Sequence, residues 1–231
     1  MDVIIMNIYE WLKTYDIEME PSQLIEEAFT HTSYLNEHRQ ARHDNERLEF
    51  MGDAVMQIWV SERLFKMTPP LSEGKMTTIR AKTVCEQTFA HIMRILDLGR
   101  FIRLGVGEEK SGGRDRDSIL ADTFEAFIGA LYLTKGMEAV NKIFEPVFTP
   151  ILKDPESTGI MDYKTQLQEY VQADIRKAVQ YRVISEKGPS NNPEFVVGVY
   201  LDEVLLGKGS GHSKKQAQQN AAKEALGKMV K

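Results

Sequence analysis

Five acidic residues fall on two short stretches of the chain with helical spacing. Glu46, Glu49 and Asp53 stand at i, i+3 and i+7, and Asp122 and Glu125 stand at i and i+3. At about 100° per residue each set falls on one side of its helix. Carboxylates gathered in this way repel one another unless cations lie between them. Hard oxygen donors without His or Cys suit Mg²⁺ or Mn²⁺. A pair of such ions serves phosphodiester hydrolysis, activating water and stabilising the leaving oxygen. Acidic residues at helical spacing also describe an ordinary solvated face, and periodicity alone leaves both readings open.

The segments that carry these acids read as helices. In residues 45–60, Leu48, Met51, Val55 and Trp59 recur at intervals of three and four and make one buried stripe. Ile119, Thr123, Phe127 and Leu131 do the same around the second pair of acids. Each helix carries a glycine, Gly52 and Gly129, and Gly129 continues the row of Asp122 and Glu125. A glycine inside a helix costs about 1 kcal/mol relative to alanine. Close approach of the two helices is a physical reason to keep both, and it would bring the acidic rows together. Residues 73–98 read as one longer helical stretch, and the Gly- and charge-rich residues 105–117 as a mobile loop.

Beyond residue 160 the order changes. A helix over 164–173, strands over 181–186, 195–201 and 203–206 and a final helix over 213–229 predict an α-β-β-β-α unit. Ser213 is the expected N-cap of the last helix. Residues 154–161, with a proline, a glycine and small polar side chains, read as a linker. The expected division is an all-α unit over 1–153, that linker, and a small α+β unit over 162–231.

Composition narrows the classes further. The 231 residues are 42% hydrophobic and 27% charged, as in a protein with a packed core. The single cysteine, Cys85, excludes an intramolecular disulfide and a Cys-rich zinc site. No apolar run approaches the roughly 20 residues of a membrane span, and the first 20 residues do not have the form of a signal peptide. Cytoplasmic residence and no membrane partner are the expectation. The net charge of −5 is uneven: residues 160–231 hold 11 basic and 8 acidic residues, whereas residues 1–159 hold 18 and 26. An acidic piece that meets a phosphate backbone needs cations or local basic patches.

Residues 45–55, NERLEFMGDAV, closely resemble the signature of the ribonuclease III family, commonly NERLEFLGDS. LADTFEAFIGALYL (120–133), FTHTSY (29–34) and SEGKMTTIRA (72–81) resemble three further motifs of that family, in the family's order. The resemblance implies a helical endonuclease domain that works as a homodimer. It implies that Glu49, Asp53, Asp122 and Glu125 bind metal, with Asp53 and Glu125 closest to the chemistry. It makes Glu46 an additional acid of the catalytic valley, places Glu73 near the same valley, and sets Phe50 at the dimer interface. The implied reaction is metal-dependent cleavage of double-stranded RNA to 5′-phosphate and 3′-hydroxyl ends with a short 3′ overhang. Ribosomal-precursor and messenger processing are the family's expected settings. Met51 and Ala54 replace the commoner Leu and Ser of the signature without removing an acid.

Residues 164–172, the GPSNNPEF loop and GKGSGHSKKQAQQNAA (207–222) resemble a double-stranded RNA-binding domain. Thr165, Gln168 and Glu169 share one helix and are expected to face 2′-hydroxyls in a minor groove, a mode that reads A-form shape. Lys214 and Lys215 follow Ser213 at a helix N-terminus, where backbone N–H groups favour phosphate. Gly209 and Gly211 are expected to let the backbone approach the ligand. Asn191 stands where the family loop usually has His, and keeps the capacity to donate and accept hydrogen bonds.

The remaining histidines support no other chemistry. His43-Asp44 forms a doublet known from other metal phosphohydrolases, but the rest of that pattern is missing. His31 reads as a structural hydrogen-bonding residue, and His212 as either an RNA contact or an exposed side chain. The competing class is a non-catalytic RNA-binding protein that uses its helical part only to dimerise.

Overall fold

The computed structural model describes residues 6–38, 42–153, 163–175, 177–189 and 193–229. The expected linker and the loop residue Asn191 lie outside these. By their internal contacts the residues fall into two units, Met1–Ile160 and Met161–Lys231.

The first unit is helical: α1 (Ile8–Lys13), α2 (Gln23–Ala28), α3 (Thr32–Glu37), α4 (Glu46–Phe65), α5 (Glu73–Thr83), α6 (Glu86–Ile95), α7 (Val106–Lys110) and α8 (Asp117–Lys153). The apolar stripe of α4 is buried as its periodicity predicts: Leu48, Val55, Met56, Trp59, Val60 and Leu64 line the core. Against them α8 sets Phe124, Phe127, Ile128, Leu131 and, past a break at Gly136, Phe144 and Phe148. Gly136 has φ 76°, a left-handed conformation that glycine adopts without a Cβ clash. Trp59 meets Phe144 edge-on at 5.1 Å, and its Nε1–H donates to Asn141 Oδ1 at 2.7 Å. A buried indole N–H without a partner would cost about 1–3 kcal/mol, so Asn141 is part of the core's fit.

Two sequence expectations are corrected in this unit. Residues 73–98 form two helices, because Val84 and Cys85 leave the helical region, Cys85 being fully extended at φ −146°, ψ 156°. The carbonyl of Lys82, released at the end of α5, accepts instead from Thr88 Oγ1 at 3.1 Å and Cys85 Sγ at 3.3 Å. Residues 105–117 are ordered: they hold α7 and a 3₁₀ turn at Gly113–Asp115. Arg114 fixes them by donating to the carbonyls of Gly99 (2.7 Å) and Ile102 (2.9 Å) while pairing with both carboxylate oxygens of Glu109.

The second unit has the predicted α-β-β-β-α order: α9 (Tyr163–Ile175), β1 (Gln180–Lys187), β2 (Glu194–Leu201), β3 (Val204–Gly211) and α10 (Lys214–Met229). The strands form one antiparallel sheet in the order β1-β2-β3. Leu167 and Val171 of α9, Val197 and Val199 of β2, and Ala217, Ala221, Ala222 and Ala225 of α10 are buried in its core. Strand β3 runs five residues past the predicted end, through Gly207, Gly209 and Gly211. A Cβ at Gly207 would stand 2.5 Å from the Ala221 carbonyl oxygen, and one at Gly211 would stand 2.9 Å from the Ala217 nitrogen. These glycines therefore admit the backbone of α10, whose facing residues are alanines. In the structure, the close approach predicted at Gly209 and Gly211 is made to that helix.

Candidate active site and RNA-binding surface

Helices α4 and α8 cross at their glycines. An added Cβ at Gly52 would overlap the carbonyl oxygen of Glu125, and one at Gly129 would overlap that of Leu48. The crossing is therefore backbone against backbone, and it carries the acids on either side of it into one place. Carboxylate oxygens of Glu49, Asp122 and Glu125 all lie within 4.8 Å of one another. All three side chains are half-buried. Among the described residues none of them has a hydrogen-bond or salt-bridge partner.

Asp53, one helical turn further along α4, is exposed and lies outside the trio, its Oδ1 accepting from Gln57 Nε2 at 3.3 Å. Its charge is nevertheless felt there. Glu125 is pushed up to about 8, first by burial, then by the negative charges of Asp53, Glu49 and Asp122. Glu49 is raised by burial and then by Asp122, Glu46 and Asp53. Asp122 is raised by burial and by Glu86, while His31 favours its charged form. Three acids raised by burial and by neighbouring carboxylates make a site short of positive charge. A hard divalent cation fits the donor set, which is oxygen only and half-buried.

Glu46 is exposed in the first turn of α4, and Glu73 is exposed in the first turn of α5, where its Oε1 accepts from Thr77 Oγ1 at 3.0 Å. Phe50 is 82% exposed, on the side of α4 that also bears Ile58 (59%) and Phe65 (77%). His31 N-caps α3: its Nδ1 accepts from the Ser33 backbone N–H at 3.2 Å and lies 2.8 Å from Ser33 Oγ. The influence of His31 and Glu86 on Asp122 is a feature that the sequence reading missed. Nothing in their spacing links them to Asp122, since α6 and the start of α3 meet it only in the fold.

Proton linkage gives a prediction. Glu125 has a folded-state value above its ordinary 4.5. Its contribution to stability is thus fully present below about 4.5 and lost as pH rises through about 8. Without divalent ions the melting temperature should fall over this window, and Glu125→Gln should flatten the fall. Added Mg²⁺ should raise Tm more at pH 8 than at pH 6, because ligands must shed protons to bind it. Scanning calorimetry in EDTA and in Mg²⁺ checks both.

In the second unit Ser213 is the N-cap of α10, its Oγ accepting from the Gln216 backbone N–H at 3.1 Å. Ser213, Lys214 and Lys215 are exposed, and Lys214 Nζ lies 5.4 Å from the centre of the Phe195 ring. Gln168 is engaged at both ends of its amide: Oε1 accepts from the Val179 N–H at 3.1 Å and Nε2 donates to the Lys177 carbonyl at 3.3 Å. A contact from Gln168 to RNA would share or exchange those bonds. Thr165 and Glu169 belong to α9, but their side chains, like Asn191, lie outside the described set.

The fold and the acid cluster together define a helical nuclease unit followed by an RNA-binding unit, and comparison with known proteins gives the family. Residues 21–152 match the ribonuclease-III-like family model, and residues 163–229 match the double-stranded RNA binding motif. Ribonuclease 3 of Bacillus cereus strain G9842 is 49% identical over 214 residues, 92% of this chain and 87% of that protein. The corresponding enzyme of Bacillus anthracis strain A0248 is 49% identical over the same length. Among solved structures, the nuclease domain of ribonuclease III from Campylobacter jejuni is 37% identical with a TM-score of 0.55, covering 62% of this chain and 99% of that one. The chain belongs to the ribonuclease III family and is an endoribonuclease acting on double-stranded RNA.

Proposed function

We propose that the protein cuts both strands of double-stranded RNA as a homodimer, with divalent ions, Mg²⁺ or Mn²⁺, held by Glu49, Asp53, Asp122 and Glu125. The observation that carries this reading is the convergence of carboxylate oxygens of Glu49, Asp122 and Glu125 within 4.8 Å. Bound divalent ions would supply charge neutralisation and the activation of water. The chain's own acids fix where those charges sit. Asp53 and Glu125 are the pair nearest the chemistry, and Glu46 and Glu73 border the valley that the duplex occupies.

Hydrolysis breaks the bond between phosphorus and O3′. The oxygen from water stays on phosphorus and O3′ leaves with a proton, giving 5′-phosphate and 3′-hydroxyl ends. Two sites acting on opposite strands leave a short 3′ overhang. The apolar stripe of Phe50, Ile58 and Phe65 supports the dimer, because large apolar side chains exposed in a row mark an interaction surface. The Campylobacter jejuni nuclease domain, described with a region involved in dimer formation, supports it too.

In this reading residues 1–153 are the nuclease domain, 154–161 a linker and 162–231 the RNA-binding domain. Thr165, Gln168, Glu169, Asn191, Ser213, Lys214 and Lys215 contact RNA. The setting is cytoplasmic processing of ribosomal precursors and messengers. Among the described residues no helix is long and apolar enough to cross a membrane.

Two measurements test this. The cut products should be ligatable without prior phosphorylation, as 5′-phosphate and 3′-hydroxyl ends require, whereas a need for kinase treatment would refute the stated bond cleavage. Lys214→Ala with Lys215→Ala should weaken duplex binding and reduce the slope of log affinity against log salt by about 2, one for each phosphate contact removed. An unchanged slope removes these lysines from the backbone contacts.

A further inference from the structure

Thr32 and Asp44 have no part in the site described so far, yet they converge on one of its acids. Thr32 is the first residue of α3 and Glu46 the first of α4. The Thr32 hydroxyl stands 3.0 Å from Asp44 Oδ2 and 3.3 Å from Glu46 Oε1. The other oxygen of Asp44 accepts from the Glu46 backbone N–H at 3.4 Å. Between Asp44 and Glu46, the Asn45 N–H donates to the carbonyl of Thr30, two residues before Thr32, at 3.0 Å. The starts of α3 and α4 are thus tied together by backbone, and the hydroxyl lies between two carboxylates that would otherwise repel.

We infer that Thr32, whose one hydroxyl proton is shared between Asp44 and Glu46, is a positioning residue that holds the Glu46 carboxylate at the catalytic valley. The inference rests on the proposed role of Glu46. An exposed glutamate at a helix start has several rotamers open to it, and ordering them costs side-chain entropy. A hydroxyl donating to a charged oxygen selects one of them. The position of this charge matters to the site, because Glu46 is among the negative charges that raise Glu49. Valine at position 32 keeps the shape and β-branching of threonine and removes the donor, whereas serine keeps the donor.

The test is a double-mutant cycle on the full-length protein in Mg²⁺, read as single-turnover cleavage rate and duplex Kd measured separately. Thr32→Val should slow cleavage about tenfold, the size of one hydrogen bond to a charged group. Kd and melting temperature should stay near wild type, and Thr32→Ser should restore most of the rate. In a Glu46→Gln background, Thr32→Val should add little, because the charge it positions is gone. A full tenfold loss in that background, or no loss in the wild-type background while Glu46→Gln is slow, overturns the positioning role and leaves Glu46 standing. A wild-type rate for Glu46→Gln alone removes the role of Glu46 and the inference with it.

Discussion

Glu125→Gln should abolish cleavage, by at least about 10³-fold or roughly 4 kcal/mol of barrier, while the affinity for duplex RNA stays within about twofold. The substitution keeps the shape of the side chain and removes the capacity to ionise from the most perturbed acid in the cluster, the one pushed up to about 8. Carboxylate oxygens of Glu49, Asp122 and Glu125 converge within 4.8 Å, so the substitution takes one carboxylate out of the proposed metal-binding cluster. The lysines and the helix start expected to hold RNA are in the other unit. Filter binding in EDTA and single-turnover cleavage in Mg²⁺ separate the two effects. Retained turnover would remove Glu125 from the chemistry, and a parallel loss of binding would make it a structural residue.

The second large effect is expected at Gly52. In a helix interior Gly→Ala ordinarily stabilises by up to about 1 kcal/mol. At Gly52 the sign should invert, because the new methyl would land on the Glu125 carbonyl, a backbone atom that cannot turn aside. Overpacking of this kind costs about 3 kcal/mol or more, which for a protein of this size lowers Tm by about 10 °C. Cleavage should fall with it, since forcing α4 from α8 separates Glu49 from Asp122 and Glu125. Gly227→Ala is the control: a Cβ there meets nothing within 4 Å, so this variant should be neutral or slightly more stable. Thermal melting of both variants decides the matter. A Gly52→Ala protein as stable as wild type would contradict the close crossing.

These two predictions rest on features that the sequence already carried. The i, i+3 spacing of Asp122 and Glu125, and the glycines on both acid-bearing helices, expressed a local geometry that tertiary packing completes. The α-β-β-β-α order was legible for the same reason, since strand alternation and the Ser213 cap are local signals.

What was not legible depends on partners distant in sequence. Residues 105–117 look mobile because glycine and charge dominate them, yet Arg114 finds carbonyls 12 and 15 residues back. The break at Val84–Cys85 is stabilised by the side chains of Cys85 itself and of Thr88 in the following helix, both donating to the Lys82 carbonyl. Strand β3 outran its prediction because glycine at every second position looks like a loop until α10 is seen filling the space. The same holds at the site. Thr32 and Glu46 are 14 residues apart and meet only because α3 and α4 start side by side.

The central claim is metal-dependent hydrolysis of both strands at this cluster. The most direct test incubates the purified protein with a duplex RNA labelled on either strand, in Mg²⁺ and in EDTA. The account predicts cutting of both strands in Mg²⁺, with the two cuts offset to leave a short 3′ overhang, and intact duplex in EDTA. Binding without cutting in Mg²⁺ and in Mn²⁺, or cutting that EDTA leaves unchanged, would contradict it.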